Sequence, residues 1–284
     1  MNVDETTWAS TFARDGFVVV PGVLTPPEVE ALCAEALHIV RGERGEISGL
    51  TGSPTGASDA EVLARYACIH FPHKISAVMR DALAHPRIVD VLRALIGPDV
   101  KAMQSMLFVK AAGKPGQAWH QDEYFIPTRD RSLVAAWIAL DDATIANGCL
   151  WVLAGSHRRG VIYPTRDHHD DRFDHSVEAH DFPHGDDDSV PVELERGDAL
   201  FFDGYLLHRS LPNTTPAGMR RSLVNHYMSS SSLLPWRQPP PGVQLATWDY
   251  RDIVVVAGDD PYAYKGTIDA STPFVRSSQV RPTA

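Results

Sequence analysis

In the first third of the chain the apolar positions recur mainly at helical spacing, and from Val100 onward they gather into short runs divided by turn residues. Gly16 to Val20 reads as a short strand closed by Pro21-Gly22. Thr25 then opens a helix. Pro26 and Pro27 suit its first turn, Glu28 stands where a capping box requires it, and Leu32, Ala36 and Ile39 form its apolar face. The stretch from Ser48 to Ala60, rich in Gly, Ser and Thr, predicts a loop. Helical spacing returns over Ile75 to Leu83 and Pro86 to Ile96, where Gly97-Pro98 stops it.

The later runs predict strands: Ala102 to Ala111, Trp119 to Phe125, Leu133 to Leu140, Cys149 to Leu153, Val190 to Leu194, Ala199 to Phe202, Leu206 to Arg209 and Arg220 to Met228. Such a succession predicts a sandwich or a barrel closed on itself, with Asn147-Gly148 as its strongest hairpin signal. Thr165 to Asp188 carries His168, His169, His175, His180 and His184 among many aspartates and has no period. It predicts a mobile, solvated loop, a lid over the mouth of the sandwich, in preference to a second metal site. Beyond Ser232 proline and glycine are frequent, with one apolar run, Ile253 to Ala257, which suggests an extension wrapped on the core. The expected layout is one domain over 1–284. It has a mainly helical part over 1–98, a β core over 99–231 and a C-terminal extension over 232–284.

Composition narrows the class. The chain has 284 residues, 44% of them hydrophobic, enough for a sizeable core. A formal net charge of -10 argues against nucleic acid and anionic membrane surfaces as partners. Cys33, Cys68 and Cys149 are odd in number and widely spaced, which suits small buried residues in a reducing compartment. The first residues are acidic and no apolar stretch reaches the length of a membrane span, so the expectation is a cytoplasmic protein.

His120-Gln121-Asp122 is the first constellation with chemistry in it. On a strand, residues i and i+2 share a face roughly 6.5–7 Å apart. An imidazole and a carboxylate so placed can converge on one ion with bonds of about 2.1 Å. His208, in the run Phe201-Phe202-Asp203-Gly204-Tyr205-Leu206-Leu207-His208-Arg209-Ser210, completes two histidines and one carboxylate. That facial triad leaves positions open on non-haem iron, where a co-substrate and O2 bind together. Arg220 and Arg221 open the strand Ser222-Leu223-Val224-Asn225-His226-Tyr227. One of the two guanidinium groups suits the distal carboxylate of a five-carbon dicarboxylate whose other end chelates iron. Ser210, on the strand face of His208, can add a hydroxyl to the same carboxylate. No Ser–His–Asp or Cys–His arrangement is evident.

The sequence resembles the phytanoyl-CoA dioxygenase family of 2-oxoglutarate oxygenases. The resemblance rests on Gln104-Ser105-Met106, Trp119-His120-Gln121-Asp122, Ala136-Trp137-Ile138-Ala139-Leu140 with Asp141-Asp142-Ala143-Thr144, Asn147-Gly148-Cys149-Leu150-Trp151 with Gly155-Ser156-His157, and His208-x-Ser210 with Asn213 and Arg220. It implies a mainly β fold with flanking helices, built on a double-stranded β-helix (jelly-roll) core. It also implies Fe(II) held by His120, Asp122 and His208, and a 2-oxoglutarate pocket lined by Met106, Trp137, Ser210 and Arg220. The implied reaction uses O2 to oxidise an aliphatic C–H bond of a small molecule and releases succinate and CO2 from 2-oxoglutarate. Asp122 fills the position that a small residue takes in iron halogenases of related folds.

Three departures stand out. One residue more than usual separates Asn213 from Arg220, so Arg221 competes for the co-substrate role. Ala154 stands where proline is common. Position 67 is alanine where relatives place a co-substrate lysine, which leaves Arg65 or Lys74 as substitutes. Two other readings compete: a cupin-like or hydrolytic zinc or manganese protein, and a non-catalytic β-sandwich binding module. The acidic chain suits a small metabolite better than an acyl-CoA, and its oligomeric state is not legible.

Overall fold

The computed structural model describes residues 5–52 and 54–276. Helix α1 (Glu5–Asp15) ends at Gly16, whose φ of 83° turns the chain into β1 (Phe17–Val20). A Cβ at Gly16 would lie 2.4 Å from the His157 ring, so both conformation and space demand glycine. Helix α2 (Pro26–Val40) begins at Thr25, whose N–H and hydroxyl both donate to the Glu28 carboxylate at 2.7 Å. The predicted loop over 48–60, of which position 53 lies outside the described residues, ends early in α3 (Asp59–Ala64). Ser58 and Glu61 cap that helix reciprocally, a Ser-x-x-Glu signal the glycine-rich composition conceals. A three-residue strand, β2 (Cys68–His70), then precedes the two expected helices, α4 (Ala77–Leu83) and α5 (Pro86–Leu95).

The β region follows as β3 (Val100–Ala111), β4 (Gln117–His120), the short helix α6 (Asp122–Phe125), β5 (Val134–Ala139), β6 (Leu150–Val152), β7 (Thr165–Arg166) and β8 (Glu178–Ala179). After these come β9 (Val190–Val192), β10 (Ala199–Asp203), β11 (His208–Ser210), β12 (Met219–Ser229), β13 (Val254–Ala257) and β14 (Phe274–Arg276). One antiparallel sheet runs β1-β10-β5-β12-β3-β2-β14, with β13 also on β3, and a smaller one runs β4-β11-β6-β9. These two opposed sheets form the jelly roll.

Strands at the centre of the larger sheet are buried on both faces, which is why Val-Ala-Ala-Trp-Ile-Ala of β5 shows no polar alternation. One face, with Leu107, Ile138, Phe201 and Leu223, packs on the helices through Leu32, Ile39, Leu83 and Leu92. The other, with Met106, Trp137, Phe202 and Val224, meets Leu150 and Val152 of the smaller sheet. The C-terminal extension supplies β13 and β14 to the larger sheet, as its apolar run suggested. Cys33, Cys68 and Cys149 are buried and unpaired. Among the described residues no helix is long and apolar enough to cross a membrane.

Three expectations need correction. The strand over Trp119–Phe125 stops at His120, and Asp122 begins α6. Asn147-Gly148 is a turn, closed by Cys149 N–H on the Thr144 carbonyl at 2.9 Å, but it carries the chain between sheets and joins no hairpin, since β5 and β6 belong to different ones. The segment 165–188 is solvated along most of its length, but it is not irregular throughout. It holds the β7–β8 ribbon and docks on the outer edge of β4, where Gly116 exchanges 2.8 Å backbone bonds with Arg172 and Asp174. The contact satisfies the Gly116 N–H just before the edge strand β4.

Candidate active site

His120 at the end of β4 and His208 at the start of β11 face each other across the ladder, with ring centroids 4.0 Å apart. Asp122 enters from the first residue of α6. Its Oδ1 lies 3.8 Å from His120 Nε2 and 3.7 Å from His208 Nε2. Atoms this close can share one ion, because two bonds of about 2.1 Å reach across about 4 Å. Among the described residues these three form the one group able to do so, and the histidines of 168–184 are not brought together.

The backbone fixes how both imidazoles present themselves. Nδ1 of His120 meets the Ala118 carbonyl at 2.8 Å and Nδ1 of His208 meets the Leu206 carbonyl at 3.0 Å. A carbonyl only accepts, so each Nδ1 carries the proton and each Nε2 offers its lone pair to the centre of the triad. Burial, with the nearby His208 adding to it, lowers the His120 pKa to about 3, so its ring is neutral at ordinary pH. Burial alone would raise the Asp122 carboxyl, but His208, His226 and His120 together hold it well below the usual carboxylate range. The donor set is thus two imidazole nitrogens and one anionic oxygen, the set that suits ferrous iron.

Residues around the triad hold it in place. His226 on β12 reaches Asp122 Oδ2 from Nε2 at 3.1 Å, a contact the sequence reading missed. Gln121 points away from the triad: its amide donates to the Val161 and Tyr205 carbonyls at 2.9 and 2.8 Å and accepts from Tyr163 N–H at 2.9 Å. Ser156 accepts the Leu207 N–H at 2.9 Å and so braces the chain before His208. On the outer side of the small sheet, Trp119 and Arg209 both donate to Asp186, at 3.1 and 3.0 Å, tying the 165–188 segment to the ligand strands. The exposed rings of Tyr124 and Phe125 follow Asp122, with Phe125 6.2 Å from the His120 ring. Next to Asp122, Glu123 is buried with Oε2 unpartnered, and burial raises its pKa to about 7.

The remaining site candidates line the space between the sheets. Val224 on β12 stands in register with Met106 on one side and Trp137 on the other, and Arg220 stands opposite Lys110. Arg220 is 2% exposed, its Nε and Nη1 have no partner, and its guanidinium lies 5.0 Å over the Trp137 ring. Arg221 is committed elsewhere, to Asp141 at 2.6 and 2.8 Å. Unpartnered buried donors of this kind call for an anion. Ser210 is buried, and its Oγ accepts from Lys110 Nζ at 2.9 Å. Neither proposed substitute lysine or arginine reaches this space. Arg65 donates to Gly52 and Thr51 at 2.8 Å, and Lys74 is paired with Asp252 and Asp269.

Similarity to known proteins agrees with this geometry. Phytanoyl-CoA dioxygenase 1 of Oryza sativa subsp. japonica is 32% identical over 163 residues, which are 57% of this chain and 56% of that protein. The chain therefore spans about half the length of the phytanoyl-CoA dioxygenases it matches. Ectoine dioxygenase of Nocardia farcinica is 27% identical over 84% of this chain and 86% of its own. The crystal structure of the epimerase SnoN with Fe3+, alpha ketoglutarate and nogalamycin RO superposes with a TM-score of 0.61 at 26% identity, covering 84% of this chain and 87% of that one. The family model of phytanoyl-CoA dioxygenase matches residues 12–222, and the chain belongs to that family.

Proposed function

We propose that residues 1–284 work as one Fe(II)- and 2-oxoglutarate-dependent dioxygenase that hydroxylates or otherwise oxidises an aliphatic C–H bond of a small molecule. The observation that carries this reading is Arg220, buried behind the His120–Asp122–His208 triad with two nitrogen donors unsatisfied. A cupin-like zinc or manganese protein has no use for such a group, and neither has a non-catalytic sandwich. Strands at both ends of the chain enter the larger sheet, which supports a single unit.

In this reading His120, Asp122 and His208 hold iron, which when bound supplies the oxidation of the C–H bond coupled to release of succinate and CO2. Arg220 binds the distal carboxylate of 2-oxoglutarate in a charge-assisted pair, and Ser210 donates its hydroxyl to it. Trp137 lies against the guanidinium and, with Met106, keeps water out, so the pair acts in a low dielectric. Carboxylate Asp122 fills the position a halide would take, which speaks against halogenation.

The aromatic rim of Tyr124 and Phe125 supports a substrate with an apolar portion. With a net charge of -10 the chain is a poor host for the phosphates of an acyl-CoA, which favours a small neutral or cationic metabolite. Three buried unpaired cysteines support a cytoplasmic location. The test is purified protein with Fe(II), 2-oxoglutarate and a metabolite library, read by succinate release. Asp122→Ala should abolish release while circular dichroism stays unchanged. Equal release from that variant refutes the assignment.

A further inference from the structure

Lys110 on β3 stands directly across from Arg220 on β12. Residues opposed in an antiparallel ladder project from the same face, so the ammonium and the guanidinium both enter the space between the sheets. Both residues are buried, at 8% and 2% exposure. Lys110 Nζ donates to Ser210 Oγ at 2.9 Å and to the Leu211 carbonyl at 2.7 Å, and both acceptors are neutral. Among the described residues neither cation has a carboxylate within ion-pair distance. Gly148 lets the backbone come close to this spot: a Cβ there would stand 2.4 Å from the Leu211 carbonyl and 3.0 Å from Lys110 Nζ.

The hydroxyl of Ser210 carries the next step. Its oxygen accepts from Lys110 Nζ and, at 3.2 Å, from the Gln117 N–H. A serine hydroxyl has two acceptor lone pairs and one proton. With both lone pairs engaged, Ser210 can act outward only as a donor, and an anion is what a lone outward O–H beside two cations receives. Two buried charges of one sign without a counter-ion are costly, and an arriving carboxylate relieves that cost. Consistent with this, burial and the neighbouring Arg220 lower the Lys110 pKa well below its ordinary value.

We propose that Lys110 is a positioning residue for the distal carboxylate of the co-substrate, locking Ser210 as a donor and adding a second positive charge beside Arg220. This rests on the reading of the site as a 2-oxoglutarate pocket. It fills the role expected of an upstream lysine, from a strand position the sequence reading did not connect with it. The consequence is selectivity: the pocket demands a dicarboxylate and rejects a 2-oxo acid of equal length that ends in a methyl group.

The experiment compares 2-oxoglutarate with 2-oxopentanoate in wild type, Lys110→Met and Lys110→Arg, following decarboxylation. In Lys110→Met the KM for 2-oxoglutarate should rise about tenfold or more, the loss expected for a charge-assisted contact. Its kcat should move far less, and the KM for 2-oxopentanoate should stay unchanged, so the preference between the two acids collapses. Lys110→Arg should restore part of it. A merely structural lysine would depress both acids equally, and that result, or an unchanged KM, overturns the proposal. If Lys110→Met does not fold, Ser210→Ala carries the same test with a smaller selective rise in KM, and no rise there refutes the relay. A wild type that ignores 2-oxoglutarate altogether instead sinks the reading of the site.

Discussion

His226 gives the most informative single perturbation of the candidate metal centre. Its Nε2 lies 3.1 Å from Asp122 Oδ2, and a carboxylate can only accept, so this nitrogen carries the proton. Nδ1 of the same ring is buried without a partner, which leaves Asp122 as the ring's bonding partner within its plane. The bond occupies Oδ2 and leaves Oδ1 toward the two Nε2 atoms, at 3.8 and 3.7 Å. Replacing His226 with Phe keeps the ring volume and removes the donor. A hydrogen bond to a charged group contributes about 1.5–3 kcal/mol, and losing an outer partner of a metal ligand typically weakens binding roughly 10–100-fold. Calorimetric titration of metal-free protein with Fe(II) under anaerobic conditions, or with Co(II), measures this directly. His226→Phe should bind at least about tenfold more weakly, while His226→Gln, which keeps an N–H donor, should recover part of the loss. A folded His226→Phe variant with wild-type affinity refutes the orienting role.

Why the triad was legible and His226 was not comes down to distance along the chain. His120 and Asp122 are two residues apart, and an imidazole and a carboxylate so close can converge in either of two backbones. The three side chains therefore come together even though Asp122 sits on a helical turn and not on a strand. A histidine among apolar neighbours on a strand is usually a core residue, and His208 was found because it completes two histidines and one carboxylate with His120 and Asp122. His226 reaches Asp122 from 104 positions away, through a register no pattern reveals. A signal did exist: Arg220, Ser222, Val224 and His226 alternate along one strand, so an inward Arg220 implies an inward His226. The same alternation from Met106 through Phe108 leads to Lys110.

The choice between Arg220 and Arg221 was open in the sequence because it depends on a partner, Asp141, that sits on a different strand's end. The His/Asp-rich segment misled for a related reason. Its composition reads as solvated, yet Phe173 is buried and Asp186 bonds to Trp119 and Arg209, contacts set by tertiary packing. Two further residues of the family motifs, Gln121 and Ser156, brace the chain around the site. Their hydrogen bonds run to backbone atoms, and a sequence carries no mark of those.

Three further outcomes are expected. Arg220→Ala should raise the 2-oxoglutarate KM about tenfold or more, whereas Arg221→Ala, which breaks the Asp141 pair, should act on thermal stability instead; the opposite assignment of effects would move the co-substrate role to Arg221. Replacing residues 168–186 with a short Gly/Ser linker should spare substrate-independent succinate formation and broaden substrate choice, and unchanged preference would reduce the segment to edge cover for β4. The last concerns Glu123, whose pKa burial raises from 4.5 to about 7. The folded protein then holds a proton that the unfolded chain gives up earlier. Stability is fully present below about pH 4.5 and is lost as pH rises through about 7. A shift of that size corresponds to about 3 kcal/mol at most, or several degrees in Tm for a chain of this length. In metal-free protein, the Tm of wild type relative to Glu123→Gln should therefore fall between about pH 5 and about 7.5, because an amide has no proton to lose. The difference is the readout, since His70, His73 and His120, whose pKa values burial lowers, raise the absolute Tm of both proteins over the same range. Parallel Tm curves for the two proteins across this window would show that Glu123 titrates at its ordinary pKa.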